Sequence, residues 1–569
     1  MNKWLKYIEE LKQEGEIGLF ELEFARFIST LEPKASRNLI SSVVLLVNDQ
    51  LAGNICTDLT TLGDSVLASK LKLSSLDISK LIDELKEFDC VGKSGEYTPV
   101  ILDNDRLYLH KYWSYENELT GWLKERAQKS DNELSKSDIE SVELLFRDSN
   151  KDELNLQKVA TSLALIKDFS IISGGPGTGK TFTVNKIIDA LKQQNSDISI
   201  TLAAPTGKAA ERLSESIDPE LDGIEASTLH KLLGARKNGE FKFNKENKLY
   251  FDVIIIDEAS MLDLRLWISL IRALRTSSKL ILLGDKDQLA SVEAGSILGD
   301  ICINTDNGFS GSTLNALKKP ENRLLKSESK NIINNHVVLL EKSYRAKSSS
   351  GISEFGKAIN EQDVDKTFQV IDQFSQIDIK PPSSRLLFEL IDNYTADLIS
   401  GENGSQFLCS NKKGKLGTIE LNKRIESSIK EKLKIPSYTE WYVGRKIIIT
   451  KNDFSTGLKN GEIGTCYKND ANEYCIRFGS SVEILTQQLK HYDLAYTITV
   501  HKSQGSEFKN VFLFLSDTLN SVLTKELLYT AVTRARESTL VIGNKGLVAE
   551  VIQKKIKRIS SISQKIQKR

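Results

Sequence analysis

The sequence predicts an α/β protein: two parallel sheets covered on both faces, a mainly helical N-terminal domain before them, and a small β-barrel inserted into the second. Three observations carry this. From about residue 156, short apolar runs alternate with amphipathic helical patterns: FSIIS (169–173), ISITLAAP (198–205), FDVIIIDEAS (251–260) and KLILLGD (279–285). Continuous apolar runs of that length belong to strands buried on both faces, as in parallel sheets. Residues 1–125 instead carry helical patterns, KWLKYIEEL and SSLDISKLIDELKEF, with none of the alternation. Residues 412–490 break a second α/β block into short alternating segments with turn dipeptides such as Lys459-Asn460-Gly461.

A chain of 569 residues is too long for one core and divides into about three or four domains. The expected division is 1–125, a docking or scaffold domain; 126–336, a first α/β domain; and 337–569, a second, with the insert at 412–490. In the first part, YTPVILDNDRLYLHKYW (97–113) reads as a hairpin turning at Asp103-Asn104-Asp105. Residues 236–251 read as a surface hairpin. Residues 304–336 are too poor in apolar residues to build a core.

Hydrophobic residues make up 40% and charged residues 27% of the chain, an ordinary globular balance. No apolar run approaches the ~20 residues of a membrane helix, and the N-terminus lacks the pattern of a secretory signal. A cytoplasmic location is expected. The six cysteines are scattered without a CxxC pair, which argues against a zinc site or a disulfide framework. With 77 basic and 77 acidic residues the chain is formally neutral, so any nucleic-acid contact must be a local groove. The basic C-terminus, KKIKRISSISQKIQKR, reads as a frayed, solvated helix end.

The chemistry begins at Gly174-Gly175-Pro176-Gly177-Thr178-Gly179-Lys180-Thr181, which follows the strand FSIIS and opens the helix FTVNKIIDALK. That is the context a phosphate-binding loop needs: glycines let backbone N–H groups curl around a phosphate, and the helix N-terminus adds its dipole. Lys180 is expected on the β/γ-phosphates of ATP and Thr181 on Mg²⁺. Some 80 residues later a buried strand delivers Asp257, expected on the metal, and Glu258, expected as general base. A third strand leads to Asp285 and Gln288, the latter placed to report the γ-phosphate. Two arginines, Arg345 and Arg534, are candidates to stabilise the transferring phosphoryl group. Small polar groups at Pro205, Thr206, Lys208, Thr228, His230, His501, Lys502 and Ser503 suit sequence-independent contact with a single strand.

The order GGPGTGKT, APTGKAAERL, STLHKLLG, DEASM, GDKDQLASVEAG, SYR, TVHKSQGSEF, YTAVTRAR resembles the motif series of superfamily 1 helicases of the 5′-to-3′ branch. More narrowly it resembles the RecD family, the alpha subunits of exodeoxyribonuclease V. VGRKIIITKNDFSTGLKNGEIG (443–464) is similar to the start of that family's inserted SH3-like barrel, and PVILDNDRLYLHKYW to its partner-contacting domain. The resemblance implies two RecA-like motor domains, an adenine-reading role for Gln157, and RecB-like and RecC-like partners. It implies a DNA-dependent ATPase acting at broken duplex ends in recombinational repair, with the nuclease in another subunit. A stand-alone helicase of the same type and a nucleotide-gated scaffold are the other two readings.

Overall fold

The computed structural model describes residues 3–567 apart from 130, 148–153, 220, 222–223, 292, 319–325, 328, 345–349, 403, 454 and 480–481. The N-terminal part opens with three helices, Lys3–Gln13, Leu19–Leu31 and Arg37–Leu51. The last is capped by the Ser36 hydroxyl, which accepts from Leu39 N. These helices close over Ile8, Ile28, Leu39, Ile40 and Val43, all fully buried. The expected hairpin is present: Val100–Asp103 pairs antiparallel with Arg106–Leu109, and Asn104 takes the left-handed conformation (φ 56°) that the turn requires.

The first parallel sheet has six strands in the order Val337–Leu340, Phe169–Gly174, Lys279–Gly284, Val253–Ile256, Ile200–Ala204, Ala226–Thr228. Alternate residues serve opposite faces. Ile254, Ile256, Leu280 and Leu282 pack with helix Leu264–Ala273 and the long helix His110–Gln128. Val253, Ile255, Ile281 and Leu283 pack with helices Leu156–Ile166 and Lys180–Gln194. The hairpin and long helix of the N-terminal part, through Ile101, Tyr108, Leu119 and Leu123, thus share a core with the first sheet, beside the separate core of the three opening helices.

Strand Val337–Leu340 corrects the expectation that the second block starts there. It pairs parallel to Phe169–Gly174, so the first sheet recruits its edge strand from beyond the polar stretch. That stretch also packs, where it is described. Phe309, Leu317 and Ile333 are fully buried, and the Asn334 side chain donates to Asp306 Oδ1 and Gly308 O at 3.1 and 2.8 Å. Asparagines supply the cohesion that apolar side chains would otherwise give.

The second sheet orders Ile377–Lys380, Ala535–Ile542, Phe508–Phe514, Ser405–Cys409, Thr497–Thr499, all parallel. Helix Thr418–Lys432 packs on it through Leu421, Ile425 and Ile429. The insert proper is therefore an antiparallel sheet of five strands from Lys446 to Leu494, with its own core of Ile447, Ile449, Cys466, Ile476 and Phe478. Its edge strands, Val482–Leu485 and Tyr492–Leu494, are not paired to each other among the described residues.

The C-terminus is the clearest correction. It is a strap that leaves the second lobe after Gln553 and returns to the first sheet and the N-terminal part. Ile562 and Ile566 are fully buried, Ile55 N donates to Ile559 O at 2.9 Å, and Lys565 pairs at 2.8 Å with the buried Glu116. The charges drew the solvated reading, but the isoleucines between them decide where the segment goes.

Candidate active site and nucleic-acid face

Strand Phe169–Gly174 ends in a loop whose Gly177 and Gly179 have φ of 82° and 81°, open to glycine and strained for other residues. At Gly179 a Cβ would also collide with Gln157 Nε2, because that amide donates to Thr178 O at 3.0 Å. Gln157 thus braces the loop from the preceding helix. Lys180 opens helix Lys180–Gln194, and its ammonium is folded back onto Gly174 O and Gly175 O at 2.6 and 3.3 Å. Those carbonyls hold it where a phosphate would take over.

A cavity of about 510 Å³ lies over this loop, lined by Lys180, Thr181, Asp257, Glu258, Gln288 and Arg534 among others. Six separate sequence expectations thus converge on one space between the two lobes. Asp257 ends its strand with Oδ1 accepting from Glu258 N at 2.8 Å, and Glu258 itself has φ 53°, a left-handed turn that aims its carboxylate into the cavity rim. Burial and the neighbouring Glu258 charge raise the Asp257 carboxyl above the usual range, while Lys180 opposes the shift. A carboxylate so placed favours a cation. Asp285 is raised too, mainly by burial.

The lobes meet in a run of hydrogen bonds. Arg534 Nη2 donates to Gln288 Oε1 at 2.7 Å, Gln288 Nε2 to Asp285 Oδ2 at 3.0 Å, and Tyr529 Oη to the same Asp285 oxygen at 2.9 Å. Leu289 N donates to Thr530 Oγ1 at 2.9 Å, and Gln504 Nε2 to Leu289 O at 2.7 Å. A Cβ on Gly175 would lie 2.8 Å from Tyr529 Oη, so this phenol reaches the phosphate loop from the other lobe.

Tyr529, Gln504 and Arg212, whose Nη1 donates to Gly505 O at 2.8 Å, were not singled out from sequence. One signal was available for Tyr529: it lies on helix Lys525–Val532, and Arg534 stands in the turn that directly follows that helix, so the chain that brings one to the cleft brings the other. Arg345 lies outside the described residues. Its neighbour Tyr344 donates its N–H to Gly177 O at 2.8 Å, so the segment leading to Arg345 touches the loop.

The other predicted contacts lie at strand ends. Thr206 and Thr228 cap short helices, accepting from Ala209 N and Lys231 N at 3.3 and 3.2 Å. Pro205 is half-buried and precedes the first cap. Lys208 is exposed with its ammonium 5.6 Å from the Phe508 ring of the other lobe. His230 is exposed beside Phe241, the ring centroids 5.8 Å apart. His501 and Lys502 are half-buried, whereas Ser503 is fully buried, its hydroxyl donating to Val500 O at 2.7 Å. Thr228 and Ser503 therefore shape backbone rather than offering free hydroxyls.

Comparison with known proteins fits this geometry. The family models that match are an AAA domain over residues 157–294, a UvrD-like helicase C-terminal domain over 494–542, and the RecBCD enzyme subunit RecD N-terminal domain over 13–108. The chain is 31% identical over 521 residues to the RecBCD enzyme subunit RecD of Buchnera aphidicola subsp. Acyrthosiphon pisum, covering 84% of this chain and 86% of that protein. The chain belongs to the RecD family. The RecD of Mycobacterium tuberculosis is 28% identical over 98% of this chain and 96% of its own length. The ATP-dependent RecD2 DNA helicase of Deinococcus radiodurans is 28% identical over 64% of this chain but only 46% of its own length. Among solved structures, a Pif1 helicase from Bacteroides in complex with ADP-AlF3 and ssDNA is 18% identical, with a TM-score of 0.39 over 69% of this chain and 94% of that one.

Proposed function

We infer that this chain is the ATP-driven 5′-to-3′ DNA helicase subunit of a RecBCD-type exodeoxyribonuclease V, unwinding broken duplex ends in the cytoplasm for recombinational repair. The observation that carries this is the convergence of Lys180, Thr181, Asp257, Glu258, Gln288 and Arg534 on one cavity between two parallel-sheet lobes. Full-length similarity to RecD subunits supports the partnered form over the stand-alone one.

In the reading proposed, the loop Gly174–Thr181 wraps the phosphates of ATP and Gln157 reads its adenine. Lys180 leaves its carbonyls for the β/γ-oxygens, exchanging neutral acceptors for charged ones. Thr181 and Asp257 suit Mg²⁺, a hard cation that keeps several waters and needs few protein ligands. When bound, that ion neutralises phosphate charge. Glu258 takes a proton from the water that attacks the γ-phosphorus as the bond to the ADP oxygen breaks, yielding ADP and phosphate. Arg534 swings from Gln288 onto the transferring group, with Arg345 as the second candidate. Because Gln288 and Arg534 belong to different lobes, exchange of Arg534 between Gln288 and the γ-phosphate couples the nucleotide state to the contact between lobes, and the cleft moves by one step per hydrolysis.

The remaining candidates, Pro205, Thr206, Lys208, Thr228, His230, His501, Lys502 and Ser503, build the single-strand face, five of them with side chains and Thr206, Thr228 and Ser503 by positioning backbone. The insert is read as an SH3-like barrel beside that face, since Lys459 and Glu462 approach Gly207. The N-terminal domain is read as the dock for RecB-like and RecC-like subunits. Phe20, Phe27 and Leu31 on helix Leu19–Leu31 are about half exposed on one stripe, an apolar face that a partner would cover.

The test is Lys180→Gln in the protein purified with its partners. Single-strand-stimulated ATP hydrolysis should vanish while subunit assembly and the thermal midpoint stay unchanged. Undiminished turnover would overturn the site assignment, and unwinding only from a 3′ tail would overturn the polarity.

A further inference from the structure

A second cavity, of about 490 Å³, is lined by His230 and shares no lining residue with the ATP cleft. Three parts of the molecule build it. The N-terminal helix His110–Gln128 contributes Lys111, Tyr112 and Tyr115, the tight bridge Ala235–Phe241 contributes Arg236 and Phe241, and the insert contributes Asn452. Helix Leu264–Ala273 adds Arg265, whose Nη2 donates to Gly239 O at 2.5 Å and pins the bridge in place.

The composition is specific. Tyr112, Tyr115 and Phe241 are each half-buried, presenting ring surface to the cavity, and Lys111, Arg236 and Arg265 are exposed at its edge. Lys111 Nζ stands 6.0 and 5.7 Å from the Tyr112 and Tyr115 ring centroids. Neither Lys111 nor Arg236 forms an ion pair with another described residue. Two carboxylates line the same space: Asp263 is engaged as a helix cap, accepting from Leu266 N at 2.7 Å, and Glu293 is exposed at the rim.

Aromatic faces alternating with unpaired cations are what a single-stranded nucleic acid uses, its bases stacking on rings and its phosphates meeting the charges. The volume lies within the roughly 300–1,000 Å³ of sites that enclose a ligand of nucleotide size. We propose that this cavity is a second single-strand site, taking the nucleotides that lie beyond the motor groove past His230, so that the N-terminal domain grips the strand as well as docking partners. The proposal rests on the DNA-translocase reading above. It adds a strand path running between the bridge, the N-terminal helix and the insert.

The experiment uses the complex purified with its subunits and oligo(dT) of two lengths: one of about 8 nucleotides, the scale of one single-strand groove, and one about three times longer. Lys111→Ala with Arg236→Ala removes only exposed charges. The long oligonucleotide should bind about tenfold more weakly, and the slope of log affinity against log salt should flatten by about 1.4, or 0.7 for each of two phosphates. Binding of the short one and ATPase saturated with it should be unchanged. An oligonucleotide carrying 5-iodouracil at its far end should cross-link to the peptide containing Tyr112 and Tyr115 or to that containing Phe241. Equal loss for both lengths, or no loss, would overturn the second site. So would long-oligonucleotide binding that persists while a partner subunit is lost on purification, which would reassign the cavity to an acidic protein segment. If the unmodified complex neither binds nor responds to either length, the translocase reading itself fails.

Discussion

Two of the places where the second lobe meets the rest of the molecule are made of different materials. At the ATP cleft the contact is polar: Arg534, Gln288, Asp285, Tyr529, Thr530 and Gln504 form hydrogen bonds beside a cavity of about 510 Å³. At the strap the contact is apolar with a polar fringe: Ile562 and Ile566 are fully buried, and Ser561 and Lys565 bind Glu116 around them. Each hydrogen bond in the first contributes about 0.5–1.5 kcal/mol net, because water or phosphate can replace the partner. Each buried isoleucine in the second contributes about 1.5–3 kcal/mol that nothing in solvent replaces. The cleft is therefore built to exchange partners and the strap to stay closed. Opening of the cleft must then be a hinge about a fixed tether.

The comparison is tested first at the cleft. Arg534→Ala should lower kcat for ATP hydrolysis by about 10³-fold or more while Kd for ATP changes little and the thermal midpoint stays close to that of the unmodified protein. Nucleotide binding measured by fluorescence together with steady-state hydrolysis decides it. A loss of affinity as large as the loss of kcat would mean that Arg534 holds ground-state nucleotide instead.

The strap should respond the other way. Ile562→Ala leaves a cavity in the core shared with Tyr108, Leu119 and Trp267, and should cost about 2–5 kcal/mol of stability. The thermal midpoint should fall, while kcat of the protein that remains folded holds its value. A variant of unchanged midpoint would show that the strap is not fastened, and one of normal midpoint but altered kcat would show that the strap, not the cleft, governs the step.

How legible these two regions were in the sequence differs for the same reason. The cleft is built by residues at the ends of buried strands, so apolar runs ending in Gly174, Asp257 and Asp285 announced it. Arg534 followed from the chemistry, since a transferring phosphoryl group needs a cation, and it stands in the turn before strand Ala535–Ile542. Tyr529 and Gln504 escaped because their partners come from a different lobe, and nothing local marks such a pairing. The strap escaped because its charges, spaced among isoleucines and serines, look solvated until Glu116 and Asp300 are brought to them from residues hundreds of positions away. The polar stretch before Val337 hid its edge strand similarly, with Asn331 and Asn334 bonding backbone where apolar packing was sought.

The smallest expected effect would sharpen the strap. Asp300, on the short helix Ile297–Ile301, accepts from Ser560 Oγ at 2.6 Å through Oδ2. Its carboxyl is pushed up to about 7, first by burial and then by Glu116, with the Ser560 bond, Arg558 and Arg106 acting in the opposite direction. In the unfolded chain the same group titrates near 3.8. The folded form therefore binds a proton that the unfolded form has lost. Stability from this group is full below about pH 4 and disappears as pH rises to about 7, on the order of 2–4 kcal/mol in all. Thermal midpoints should fall between pH 5 and pH 8 by more than the remaining groups explain. Asp300→Asn keeps an oxygen for Ser560 but has no proton to lose, so its profile should be flatter and its midpoint at pH 8 higher. Parallel profiles for the two proteins would mean that Arg106 and Arg558 hold Asp300 ionised, and that the polar fringe of the strap carries charge as readily as the cleft does.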